Sequence, residues 1–351
     1  MRVSILLLLG WMTPALATDH AVGLLYHHVD TGTPASTSVT PKTFETHLDY
    51  LADNGFAVRP LGEVLATLHR GGSLPPNTVS ITFDDAYTSV FEEAYPRLRA
   101  RGWSATLFVN SEAIDRGFRN YMSWAQVREL AAAGFEIGNH SHTHAHLVRR
   151  LANESQADWR ARVTADIELA QRRIAAETGS EPRLFAYPYG EYSPALQQVV
   201  DRLGFTGVGQ HSGALGASSD FLAVPRFPMS TGYADLQRFA TAVNARPLPV
   251  ITARAGGERA IDGRLDSLEL EVAPGAYRAG QLACYSAAGK RLDLKAGDGQ
   301  PLRLRVTLQE AQPPGRNKVN CTAPAADERG AYFWYSYLWL VKNADGSWYR
   351  E

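Results

Sequence analysis

The chain has 351 residues, of which 45% are hydrophobic and 20% charged, with a formal net charge of −1. That is enough apolar material for a sizeable core, and enough length for one large domain with a smaller one or for two to three ordinary ones. Near-neutrality, with no basic stripe interleaved with aromatics, excludes nucleic acid as the expected partner and provides no field toward an anionic membrane.

In chain order, Arg2 precedes an apolar run over 3–10, and Ala15-Leu16-Ala17 follows as a cleavage-type sequence. This pattern predicts a signal peptide over 1–17, with the mature chain starting near Thr18. The alternative is an uncleaved core strand or helix. The run is far shorter than the roughly 20 residues of a membrane-spanning helix. No cysteine follows it, so a lipid anchor is not expected. The expected location is periplasmic or secreted.

From residue 21 to about 243, short apolar runs alternate with amphipathic stretches. Strands are predicted at 22–26, 79–83, 105–109, 135–138, 184–187 and 206–208. Helices are predicted at 44–51, 90–101, 124–133, 156–177 and 194–203. Repeated strand–helix units imply an α/β fold with a mostly parallel sheet, open or closed into a barrel. Helical signals stop near Arg246-Pro247-Leu248-Pro249. Beyond it, alternating runs such as Leu268-Glu269-Leu270-Glu271-Val272 lie between Pro/Gly turns, which predicts a small antiparallel β-sandwich. The expected domains are 18–245 and 246–351. The aromatic run Ala331-Tyr332-Phe333-Trp334-Tyr335-Ser336-Tyr337-Leu338-Trp339-Leu340 either stacks on sugar rings or fills the sandwich core; apolar residues on both faces favour the core.

Only Cys284 and Cys321 occur. In an exported protein this pair most economically forms one disulfide, two buried thiols being the alternative.

Two features carry chemistry. Asp84 and Asp85 follow the predicted strand 79–83, and the exits of parallel strands are where α/β active sites form. A lone Asp-Asp there can also simply cap the next helix. After strand 135–138, Asn139-His140-Ser141-His142-Thr143-His144-Ala145-His146 places histidines at every second position. His140 and His144 share a face if the segment turns helical. Two histidines and a carboxylate make a three-ligand site for a divalent metal with a position left for water and substrate.

Thr82-Phe83-Asp84-Asp85, His140-Ser141-His142-Thr143-His144 and Tyr187-Pro188-Tyr189-Gly190 together resemble the TFDD, H-(S/T)-x-x-H and PYG motifs of the polysaccharide deacetylases. These are the NodB-homology carbohydrate esterases of family 4. The resemblance covers about residues 20–245 and extends to motif order and spacing. It implies a distorted (β/α) barrel and metal-dependent removal of acetyl groups. It implies Asp84 as general base, Asp85, His140 and His144 as metal ligands, and Ser141 as support of the histidine loop. His142 and His146 are then neighbours, with His146 a groove or surface residue. On the oxyanion and substrate side the resemblance implies Pro188 and the backbone N–H of Tyr189.

The chain departs from the family pattern in three places. No histidine follows His211, so the usual late Leu-x-His motif is missing. Leu25-Tyr26-His27 supplies the same pattern at the first strand's end, making His27 the candidate general acid and His28 its fallback. The arginine that in the family stands two residues before Pro188 and orients the base is Ala186 here, and Arg226 is the candidate replacement from another strand end. The tryptophan-bearing pocket motif is not recognisable. The first two departures resemble the branch that deacetylates poly-β-1,6-N-acetylglucosamine.

The expected activity is therefore metal-dependent hydrolysis of acetamido carbon–nitrogen bonds in an N-acetylated polysaccharide, with that biofilm polymer first. Chitooligosaccharide or peptidoglycan deacetylation and acetyl xylan ester hydrolysis are alternatives. A glycan-binding matrix protein on a deacetylase fold is the non-enzymatic one, and a histidine-rich metal-storage protein a third. The donor set suits Zn²⁺, and also Co²⁺, Ni²⁺ or Fe²⁺. No protein partner is legible in the sequence.

Overall fold

The computed structural model describes residues 18–181, 183–256, 263–309 and 312–350. The signal-peptide expectation over 1–17 falls outside these residues. Among them, no helix is long and apolar enough to cross a membrane.

The first sheet is built from β1 (His20–Tyr26), β2 (Thr78–Phe83), β3 (Thr106–Val109), β4 (Glu136–Asn139), β5 (Leu184–Ala186), β6 (Thr206–Val208) and β7 (Ala214–Gly216). Its order is β7-β1-β2-β3-β4-β5-β6, with β7 antiparallel and the others parallel. Phe227–Pro228 also lies parallel to β1. The sheet curls into a half-barrel. β2 is buried at every position because helices cover one face and the curled sheet encloses the other. Packing is tight enough that Gly138 in β4 admits no side chain: a Cβ there would lie 2.6 Å from the Phe108 ring.

The helices form where local signals direct them. The helix Gln156–Thr178 begins at Ser155, whose hydroxyl accepts from the Asp158 amide, and ends at Gly179 in the left-handed conformation. It buries Trp159, Val163, Ile167 and Ile174. Trp159 donates from Nε1 to the Leu147 carbonyl at 2.8 Å, fixing the chain downstream of the histidine tract. The expected helix over 90–101 is split. Its first turn, Val90–Ala94, is widened to π geometry before Tyr95–Ala100.

From Arg246 onward the regular elements among the described residues are strands, apart from one short 3-10 helix at Ala279–Gln281. They are β8 (Val250–Gly256), β9 (Ser267–Val272), β10 (Ala283–Ser286), β11 (Asp293–Ala296), β12 (Leu302–Thr307), β13 (Gly315–Pro324) and β14 (Tyr332–Val341). One sheet runs Arg246–Pro247, β14, β13, β10; the other runs β8-β9-β12-β11. Leu268, Leu270, Val272 and Val306 of the second sheet share a core with Cys284, Val319, Cys321 and Phe333 of the first. Cys284 and Cys321 sit directly opposite each other on β10 and β13 and form a disulfide. The β14 aromatics divide by face. Phe333 is in the sandwich core, with Tyr335, Tyr337 and Trp339 half-buried against it, while Trp334 packs edge-on to Phe227 of the barrel at 5.2 Å. Only Tyr332 of the run is exposed.

Candidate active site

The site sits at the carboxyl ends of the barrel strands. At the exit of β2, Asp84 continues the strand, its amide donating to the Tyr26 carbonyl at 3.0 Å. Asp85 and Ala86 then take positive φ, 74° and 60°. Successive strand residues ordinarily face opposite ways. This left-handed turn brings both carboxylates into one cleft.

Asp84 is fully buried and held by Arg226 in two parallel bonds, Nη1 to Oδ1 at 2.7 Å and Nη2 to Oδ2 at 2.9 Å. Gln210 donates to Oδ2 at 3.3 Å. Arg226 is itself fully buried, and its remaining donors reach the Gly209 carbonyl and the Thr82 hydroxyl. A buried ion pair is tolerated only when its other polar atoms are satisfied in this way. Burial pushes the Asp84 carboxyl up, but Arg226, with His140 and His27, brings it below its ordinary value. Arg226, the candidate replacement for the arginine before Pro188, thus lies on Asp84: its guanidinium is taken up by that carboxylate, the Gly209 carbonyl and the Thr82 hydroxyl.

The histidine loop is not helical. His140 follows β4, and its Nδ1–H donates to the Ala186 carbonyl at 2.8 Å, which turns Nε2 toward Asp85. Ser141 (φ 65°) and His144 (φ 53°) are left-handed, and the Ser141 hydroxyl accepts from the His144 amide at 2.9 Å. The helix Gln156–Thr178 holds the intervening residues, with Asp166 accepting from the His142 amide and the Thr143 hydroxyl. The loop therefore converges His140 and His144 by left-handed turns, where a helical turn had been expected. His142 is turned away to Ser111, and His146 to Glu191.

His140 Nε2 and His144 Nε2 lie 3.3 and 3.1 Å from the same oxygen, Asp85 Oδ1. The ligand atoms of the three residues fall within 4.8 Å of one another. Among the described residues, neither Asp85 Oδ1 nor His140 Nε2 has a hydrogen-bond partner, although both are buried. Buried polar atoms without partners are costly. Two imidazole nitrogens and a carboxylate oxygen facing one point are the donor set of a divalent cation. The residues present fit such an ion. Five non-glycine residues of this cleft, Asp85, Ala86, Ser141, His144 and Tyr189, have positive φ. Such strain, about 1–3 kcal/mol each, characterises functional sites.

His27 follows β1. Asp85, Asp84, Arg226 and His140 all act on it electrostatically, so it lies near the same cleft. Burial lowers its pKa, and the two carboxylates offset part of that. The ring of His28 stacks on Tyr87 at 3.6 Å. Pro188 and Gly190 are buried, whereas Tyr189 (φ 58°, ψ 6°) lays its ring against His144 at 4.6 Å and against His146 at 3.9 Å.

Two residues at the site were not found by sequence reasoning. Gln210 follows β6, so its position at a strand exit was the available signal. Burial raises the pKa of the Tyr87 phenol, and the neighbouring Asp85 and Tyr121 raise it further. Its signal was proximity to the Asp-Asp pair.

Residues 71–208 match the family model described as polysaccharide deacetylase. Over these residues the barrel is similar to the polysaccharide deacetylases. The chain is therefore an enzyme, a hydrolase that removes acetyl groups from polysaccharide. It is 28% identical over 210 residues to YxkH of Bacillus subtilis strain 168, a protein described as a polysaccharide deacetylase, covering 60% of this chain and 71% of that one. It is 24% identical over 225 residues to the poly-β-1,6-N-acetyl-D-glucosamine N-deacetylase of Escherichia coli K12. That match covers 54% of this deacetylase and only 33% of the relative, so the match spans about a third of the relative's length. The fold is similar to that of IcaB from Ammonifex degensii, with a TM-score of 0.55 and 24% identity over 62% of this chain and 94% of that one.

Proposed function

We propose that this polysaccharide deacetylase hydrolyses the acetamido groups of an N-acetylglucosamine polymer, with the β-1,6-linked polymer as the leading substrate. The observation that carries the reading is the buried Asp84–Arg226 pair beside the Asp85/His140/His144 cluster, with His27 near both. The β-1,6 linkage is drawn from the names of relatives and from the placement of His27 and Arg226 in the chain. We assign residues 18–245 to the catalytic domain and 246–351 to an attached β-sandwich.

A divalent ion, with Zn²⁺ first and Co²⁺, Ni²⁺ or Fe²⁺ as alternatives, would be held by Asp85, His140 and His144, polarising the acetyl carbonyl and acidifying water. Asp84 takes the proton of the attacking water, its carboxylate kept ionised and aimed by Arg226. The backbone N–H of Tyr189 stabilises the oxyanion. His27 returns a proton to the departing amine, so that water and amide become acetate and amine. Ser141 holds the His144 amide and thereby the loop. An exported location accords with the disulfide, which persists in oxidising compartments.

The test is acetate release from β-1,6- and β-1,4-linked N-acetylglucosamine oligomers by metal-reconstituted protein, beside Asp84→Asn and His27→Ala. Release from the β-1,6 oligomer that Asp84→Asn abolishes supports the reading. Release from neither oligomer, despite one bound ion per chain, overturns it and turns attention to acetyl esters.

A further inference from the structure

The Tyr189 loop is gripped from outside the barrel. Tyr189 is left-handed without being glycine, a conformation that persists only where surroundings impose it. From the barrel side it has the His146 ring, stacked at 3.9 Å and 11°. From the β-sandwich side, Arg316 of β13 donates from Nη1 to the Tyr189 carbonyl. Two residues on, Glu191 is a buried carboxylate, only 1% exposed. It accepts from the Tyr349 hydroxyl, interacts with His146 Nδ1 at 2.9 Å and accepts from Arg149 Nη2 at 3.4 Å. Arg149 in turn donates to the Tyr349 carbonyl at 3.1 Å and lies over its ring at 4.7 Å. The sandwich thus reaches both ends of the segment 189–191 with a side chain of its own.

We propose that Arg316 and Tyr349 are positioning residues for the reaction, and that the β-sandwich holds Tyr189 in the backbone conformation that presents its N–H to the acetyl oxygen. Arg316 fixes one side of the peptide following Tyr189. Tyr349 fixes Glu191, which orients His146, which supports the Tyr189 ring. Neither residue touches substrate. Their effect runs through the left-handed φ and ψ of Tyr189, which relate the gripped carbonyl to the N–H one peptide earlier and would turn that donor elsewhere if relaxed. The inference rests on the deacetylase reading for its catalytic consequence, and on geometry alone for the grip itself.

The experiment uses the full chain with Arg316→Ala, Arg316→Lys and Tyr349→Phe. It measures kcat and KM for acetate release, bound metal per chain, and amide hydrogen exchange of peptides covering 187–192. Arg316→Ala is expected to lower kcat about tenfold to hundredfold, the scale of weakening one oxyanion donor, with KM changed less than threefold. Metal stoichiometry stays the same, exchange over 187–192 accelerates at least tenfold, and Arg316→Lys recovers part of both. Tyr349→Phe, which keeps the ring, moves the same two readouts in the same direction. Unchanged exchange over 187–192 in folded Arg316→Ala and Tyr349→Phe overturns the proposal whatever happens to activity. Faster exchange with unchanged kcat overturns the catalytic role. Wild-type protein that releases no acetate would sink the deacetylase reading, and the exchange comparison would then decide whether the grip exists.

Discussion

Arg226 meets Asp84 fork to fork, with bonds of 2.7 and 2.9 Å, across 142 positions of sequence and with no solvent exposure on either side chain. It arrives there because Phe227–Pro228 lies along β1, which itself pairs with β2. The exits of the two segments are brought together by the sheet.

Breaking this pair from one side leaves a buried charge. Arg226→Met should cost about 3–5 kcal/mol of stability, the scale for orphaning one partner of a buried pair, and abolish acetate release. Arg226→Lys keeps the charge but loses the fork, so it should fold better than Arg226→Met and still lose most of kcat. Chemical denaturation with steady-state kinetics checks both. Equal stability of wild type and Arg226→Met would mean the pair contributes nothing net.

Metal binding should separate the histidines. His140→Ala, His144→Ala and Asp85→Ala are expected to lose the bound ion at micromolar free Zn²⁺, an order-of-magnitude concentration for a site reduced to two ligands. His142→Ala should keep it, because that ring is turned to Ser111. Metal analysis after gel filtration reads the outcome. An ion lost in His142→Ala would require a different ligand set.

Acid should destabilise the barrel through His47. Its ring is buried, stacked on Phe239 at 3.9 Å, with Tyr26 Oη against Nδ1 and the Ala234 carbonyl against Nε2. Burial holds its pKa down, to about 4, against an ordinary value of 6.5. Between those values the unfolded chain binds the proton and the folded chain does not, so stability rises with pH. The contribution is complete above pH 6.5 and is lost as pH falls through about 4. It amounts to about 3 kcal/mol at full extent. His211, pushed to about 3 by burial, acts in the same direction. Denaturation midpoints from pH 4 to 7 should slope upward, and His47→Gln should flatten that slope. An unchanged slope in His47→Gln would remove His47 as the cause.

The disulfide closes a loop between positions 37 apart. By loop entropy its removal should destabilise the sandwich by about 4 kcal/mol. Cys284→Ser with Cys321→Ser, followed by calorimetry, should lower the melting of the β part. If the grip on the Tyr189 loop depends on that part, acetate release should fall at temperatures where the barrel still holds.

How much of this was legible in the sequence follows from the range of the interactions involved. The strand runs such as 79–83 and the helix over 156–177 were readable because burial period and capping are local properties. The Asp84-Asp85 and His140–His144 motifs were readable for the same reason, each being a short segment at a strand exit. The widened turn at Val90–Ala94 was not, nor were the left-handed turns at Ser141 and His144, because non-glycine residues take such conformations only when their surroundings impose them. His27 and Arg226 could be named as candidates by resemblance, but their placement was not in any local pattern. Gln210, Tyr87, Arg316 and Tyr349 carried no signal beyond adjacency at best.

The sequence by itself determined an α/β part followed by an all-β part, the parallel strands of the barrel but not the helices Leu61–His69 and Leu236–Val243 or the strand Ala214–Gly216, and the residue types able to hold a cation and move a proton. Only the tertiary structure decided how His140 and His144 converge on Asp85, how Arg226 reaches Asp84 fork to fork, and that the sandwich reaches the Tyr189 loop. The physical reason is that periodicity and capping act over a few residues. An ion pair spanning 142 positions exists only once the curled sheet has brought its strand ends together.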